Sequence, residues 1–150
     1  MTVGEICTRE VVIIGRDEPI TEAARLMREY HVGDLVVVEE LEGKHFPVGV
    51  ITDRDIVVGV VARDTQHLDR LAVGDVIKGE LITAREQESL ADVLKRMCAF
   101  GIRRIPVLDS RGSLAGILSV DDVIEELGEQ MTDLAALIAR QRKRETEERT

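Results

Sequence analysis

Gly49-Val50-Ile51-Thr52-Asp53-Arg54-Asp55 and Gly116-Ile117-Leu118-Ser119-Val120-Asp121-Asp122 each end an apolar run on a hydroxyl residue. Three positions after that Thr52 or Ser119 stands a carboxylate, Asp55 or Asp122. A carboxylate so placed can accept hydrogen bonds from both hydroxyls of a ribose diol, while the hydroxyl and the free N–H groups of a helix start favour phosphate. The same spacing also closes a helix N-terminus on itself, with the two side chains satisfying backbone N–H groups. Ser89-Leu90-Ala91-Asp92 shows it where no ligand is expected. Spacing alone leaves both readings open. Other chemistry is scarce: no Ser/His/Asp order, Cys/His pairing or phosphate-cradling glycine loop is evident. Cys7 and Cys98 make neither a disulfide framework nor a metal pattern, and His31, His45 and His67 are too scattered for metal ligands. Surface or packing roles are expected for all three histidines, and no metal or catalytic residue is expected.

An internal repeat must position the two stretches. At an offset of 70, Val3-Gly4-Glu5-Ile6 falls on Val73-Gly74-Asp75-Val76, Met27 on Met97 and Tyr30 on Phe100. Later the offset is 67, so the first copy holds three extra residues around Glu40-Leu41-Glu42-Gly43-Lys44, read as a loop insertion. Each copy begins with a short strand, Val11 to Ile14 or Leu81 to Ala84. A helix follows with one apolar face: Ile20, Ala23, Ala24 and Met27, or Leu90, Val93, Leu94 and Met97. After Gly33 or Gly101 come Leu35 to Val38 and Val48 to Ile51, or Ile105 to Leu108 and Ala115 to Leu118, each pair reading as a hairpin. A second helix starts near Asp53 and near Val120. The fold class is therefore α/β, two β-α-β-β-α repeats at residues 1–65 and 66–128. A roughly 60-residue unit has little core of its own, so the copies should pack together with pseudo-twofold symmetry.

A C-terminal helical tail, residues 129–150, continues the last helix. Val123, Leu127, Met131, Leu134 and Ile138 step by four, four, three and four, a stripe that a second subunit or the chain's own domain must cover. Across the whole chain, 29 acidic residues oppose 20 Lys and Arg, a net charge of −9 that disfavours nucleic acid and anionic lipid. Aromatic residues are 2% with no Trp, so base-stacking platforms are missing. No apolar run approaches the roughly 20 residues of a membrane span, and a cytoplasmic location is expected.

Asp53-Arg54-Asp55 after an apolar run resembles the start of haloacid-dehalogenase-type phosphatases. The second copy has Val120 where that first Asp should stand, which argues against such an enzyme. The tandem repeat itself, with GVITDRDIV in the first copy and GIRRIPVLDSRGSLAGILSVDDVI in the second, resembles a pair of cystathionine β-synthase (CBS) domains over roughly residues 1 to 128. That resemblance implies a non-enzymatic regulatory module with two clefts. It implies an adenosyl ligand (AMP, ADP, ATP, NAD or S-adenosylmethionine), a homodimer, and an output to a partner protein or through the dimer. It places Ser119 and Asp122 on ribose and phosphate, Ile117 beside the base, Arg104 on phosphate, Thr8 near phosphate and Val12 along adenine. The other cleft receives Thr52, Asp55, Val50, Lys78 and Ile82. There the match of Arg104 is Asp34, an anion, and Lys78 is the sole cation carried over. On that basis the Arg104 cleft is expected to bind mononucleotides more tightly, since Arg can grip phosphate with two donors. The alternative is a ligand-free scaffold whose Thr/Ser-x-x-Asp motifs only cap helices.

Overall fold

The computed structural model describes residues 1–63, 66 and 68–149; His67 and the expected boundary at residue 65 lie outside the described residues. The first copy comprises α1 (Val3–Ile6), β1 (Ile13–Gly15), α2 (Ile20–Tyr30), β2 (Asp34–Leu41), β3 (Lys44–Thr52) and α3 (Asp53–Ile56), which runs into a π-helical turn at Val57–Val61. A 3-10 turn at Leu68–Arg70 leads to α4 (Val73–Val76), β4 (Ala84–Arg85), α5 (Leu90–Phe100), β5 (Arg104–Leu108), β6 (Leu114–Ser119) and α6 (Val120–Glu148). Each three-stranded sheet runs in chain order, its first pair parallel and its second antiparallel.

The apolar spacing of α2 and α5 buries Ile20, Ala23 and Met27, and Leu90, Val93 and Met97, against the sheets. Gly101 ends α5 in the left-handed conformation, but the matching terminator of α2 is His31, at φ 55°. His31 is exposed, and it is also among the residues lining the smaller of the two cavities between the repeats. The three extra residues do not form the expected loop. They lengthen the hairpin, pairing Leu41 with Lys44 across a tight turn in which Glu42 and Gly43 both take positive φ, the geometry that matches strand twist. The expected strand at Leu81 to Ala84 shrinks to Ala84–Arg85, because its earlier residues line a cavity instead of joining the ladder.

Each core is completed by a turn of helix from the other end of the sequence repeat. Val73 and Val76 of α4 pack with Ile14, Ile20, Leu35 and Ile51. Val3 of α1, together with Cys7, packs with Leu90, Val93, Ile105 and Leu118. Matching backbone bonds fix the exchange. Val3 N donates to Glu88 O at 3.0 Å and Gly4 N to Glu86 O at 2.9 Å, while Val73 N donates to Glu18 O at 2.8 Å and Gly74 N to Arg16 O at 2.7 Å.

Only the start of α6 belongs to these cores, through Val123. From Leu127 to Arg149 every residue is exposed, with Leu127, Met131, Leu134 and Ile138 at 51–67%, so the tail does not pack back on its own domain. No helix among the described residues is long and apolar enough to cross a membrane.

Candidate functional site

The two stretches at the strand-to-helix turns both form complete caps. Ser119 Oγ accepts from Asp122 N at 3.1 Å, and Asp122 Oδ2 accepts from Ser119 N at 2.8 Å and from Ser119 Oγ at 2.7 Å. Thr52 Oγ1 accepts from Asp55 N at 3.1 Å, and Asp55 Oδ2 from Thr52 N at 2.9 Å. Helix capping thus uses one oxygen of each carboxylate and leaves Oδ1 outside the cap. Around each cap the exchanged segments build a cavity between the repeats.

The smaller cavity holds about 260 Å³ and is lined by Thr8, Val12, Arg104, Ile117, Ser119 and Asp122, all six of the residues assigned to one cleft. Thr8 and Ile117 exchange two backbone hydrogen bonds of 2.9 Å, which hold the N-terminal segment on β6. Thr8 Oγ1 also donates to Asp122 Oδ1 at 3.3 Å. Glu10, Asp34 and Asp122 line this cavity against Arg104 alone among Lys and Arg, so it is acidic. Arg104 Nε lies 3.1 Å from Asp34 Oδ1, whose side chain is only 10% exposed. Burial pushes the Asp34 carboxyl up, Arg104 pulls it down, and the nearby Asp53 carboxylate adds to the rise.

The larger cavity holds about 720 Å³ and is lined by Val50, Thr52, Lys78 and Ile82 of the assigned residues, but not by Asp55. Asp55 is present through Thr52, which it orients. The sequence reading missed Arg54 and Arg103, which line this cavity with Lys78 and Arg104, as do Asp34, Asp53 and Glu80. Both missed arginines stood in the repeat motifs, in TDRD and RRIPV, beside residues that were assigned. Lys78 is therefore not the only cation here. Arg104 and Asp34 line both cavities, and their ion pair forms part of the wall between them.

The size difference has a local origin. Thr8 is bridged to Ile117, whereas among the described residues the matching Lys78 is not bridged to Val50. The segment from Lys78 to Ile82 stands off β3, and the space it leaves is the larger cavity. Chemically, both sites offer hydrogen bonds and charge; among the described residues no group of three His, Cys, Asp or Glu could hold a metal ion.

Comparison with known proteins places these features. The chain is 34% identical over 125 residues to a protein of Methanopyrus kandleri, covering 83% of this chain but 62% of that one. It is 32% identical over 142 residues to the CBS domain-containing protein YhcV of Bacillus subtilis, covering 89% of this chain and 95% of that one. Among solved structures, a CBS domain protein from Pyrobaculum aerophilum complexed with AMP superposes with a TM-score of 0.71 at 26% identity, covering 81% of this chain and 89% of that chain. The CBS domain pattern itself matches twice, at residues 3–62 and 73–129. With two such matches in register with the two observed sheets, this chain belongs to the CBS domain family and carries a CBS pair.

Proposed function

We propose that this CBS pair is a regulatory module that binds an adenosyl ligand, and that the larger cavity is the site filled first. The observation that carries this reading is the cavity of about 720 Å³ at the start of α3, where Lys78, Arg54 and Arg103, with the Arg104 that Asp34 engages, outnumber Asp34, Asp53 and Glu80. That volume falls within the roughly 300–1,000 Å³ of small-molecule pockets, and the cations suit a phosphate. The smaller cavity, at about 260 Å³, is below that range, and its acidic lining opposes an anionic ligand. This order reverses the one expected from Arg104 alone, because Arg104 is already engaged by Asp34. A relative seen with AMP supports the ligand class. Thr52 and Lys78 would receive ribose and phosphate, with Val50 and Ile82 beside the base. The chain's output is then a change in how the repeats sit on one another, read by a partner or a second copy, since a ligand shifts only states it binds unequally.

A second reading, a ligand-free scaffold, has the two complete capping boxes in its favour. Thermal unfolding separates the two readings. With AMP, ADP, ATP, NAD and S-adenosylmethionine tested in turn, a ligand at 100 times its Kd should add about 2.7 kcal/mol, or roughly 5–11 °C. Lys78→Ala should remove most of that shift and Ser119→Ala little of it. Loss in Ser119→Ala alone would move the site to the smaller cavity, and no shift with any ligand would leave the scaffold.

A further inference from the structure

Among the described residues, neither core includes any part of the second half of α6. From Glu129 to Arg149 every residue is exposed and none belongs to either core, yet helices in proteins draw most of their stability from tertiary packing. Its apolar residues follow a heptad: Ile124, Met131 and Ile138 at one core position, Leu127 and Leu134 at the other. All five are more than half exposed. The charges along the same helix are segregated. Asp121, Asp122, Glu125, Glu126, Glu129 and Asp133 occur with no Lys or Arg between Val120 and Ala139, and Arg140, Arg142, Lys143 and Arg144 follow together. Favourable interaction with the helix dipole reaches only the first turn, so it accounts for Asp121 and Asp122. The later acids stand in repelling pairs four residues apart, such as Glu125 with Glu129 and Glu129 with Asp133.

We infer that α6 pairs with α6 of a second copy, antiparallel, through the Leu127 to Ile138 seam. A parallel pair would lay the six acids of one helix along the six of the other and cluster the cations likewise. In the antiparallel pair, Leu127 packs against the partner's Ile138 and Met131 against the partner's Leu134. That same register brings Asp121, Asp122 and Glu125 level with the partner's Arg144, Lys143 and Arg140. Gly128 and Ala135, beside the seam, allow the helices to approach closely. The inference is independent of which ligand the cavities take.

Site-specific cross-linking tests it. In a Cys98→Ser background, where the remaining Cys7 is buried, Leu127→Cys and Ile138→Cys chains are produced separately and together in one cell, then oxidised. Leu127 and Ile138 are eleven residues apart, about 16 Å along the helix at the 1.5 Å rise. The antiparallel seam therefore gives a Leu127→Cys to Ile138→Cys disulfide only in the co-produced sample, at least tenfold over either chain alone. Disulfides within each single-variant sample would overturn the orientation in favour of a parallel pair. No disulfide in any sample would overturn the seam itself. Both substitutions are at solvent-exposed positions, so folding of the cores is not at stake.

Discussion

Asp122 joins three things at once: the start of α6, the hydroxyl of Ser119 and, through Thr8, the segment exchanged from the other end of the repeat. Asp55 caps α3 without any such link. Asp55→Ala should cost about 1 kcal/mol, the usual worth of a cap, and Asp122→Ala more, with the difference read from urea midpoints. Asp34 carries a charge effect of the opposite kind. Its carboxyl is pushed up by burial, so its contribution to stability is present below the ordinary carboxylate range and is lost as pH rises through the folded value. Asp34→Asn should flatten stability against pH there, and by releasing Arg104 it should tighten AMP binding, measured by calorimetric titration. Glu88 runs the other way: hydrogen bonds from Arg96 hold it low. Its contribution is present above the ordinary value and lost as pH falls through the folded one. Arg96→Ala should therefore destabilise at neutral pH and less in acid. Of the residues that the family resemblance assigned to the clefts, all but Asp55 line the two cavities. Arg54 and Arg103 stayed hidden because a charged side chain beside a motif gives no sign of which way it faces until the two repeats are set against each other.

At the level of elements, the exchanged segments run so close over the hairpins that two glycines are required. A Cβ on Gly116 would meet Thr8 O at 2.7 Å and Cys7 Sγ at 2.9 Å, and one on Gly49 would meet Ile77 Cδ1 at 2.7 Å. A side-chain tip can turn away; a backbone carbonyl in a two-bond bridge cannot. Gly116→Ala should cost about 1–3 kcal/mol, in the range of overpacking, and Gly49→Ala distinctly less, compared by chemical denaturation. Hairpins and first helices were readable from periodicity because each presents one apolar face to one core. The short strands β1 and β4 were readable in place but not in their bounds. Their neighbours Val12 and Ile82 are apolar like strand residues but face the cavities, and hydrophobicity alone does not distinguish a cavity wall from a sheet.

The whole molecule is organised by the exchange of α1 and α4. A repeat visible in the sequence suggests that residues 3–62 and 73–129 are separate packing units, yet neither core is complete without residues from the other repeat. Val3 and Val73 are both fully buried. Val3→Ala and Val73→Ala should each destabilise by about 2 kcal/mol. Each should also keep a single transition, with calorimetric and van't Hoff enthalpies equal, since no half can melt alone. The exchange has a further consequence for a chain made from its N-terminus onward, at about 5–20 residues per second. Residues Val3 to Cys7 leave the ribosome ahead of both sheets and have no core to join until Leu118 of β6 has emerged. The first sheet likewise waits for Val73 and Val76. For that interval Val3, Ile6 and Cys7 lack the core that covers them and are open to other contacts, and the last strand of the second repeat is the one that ends the wait.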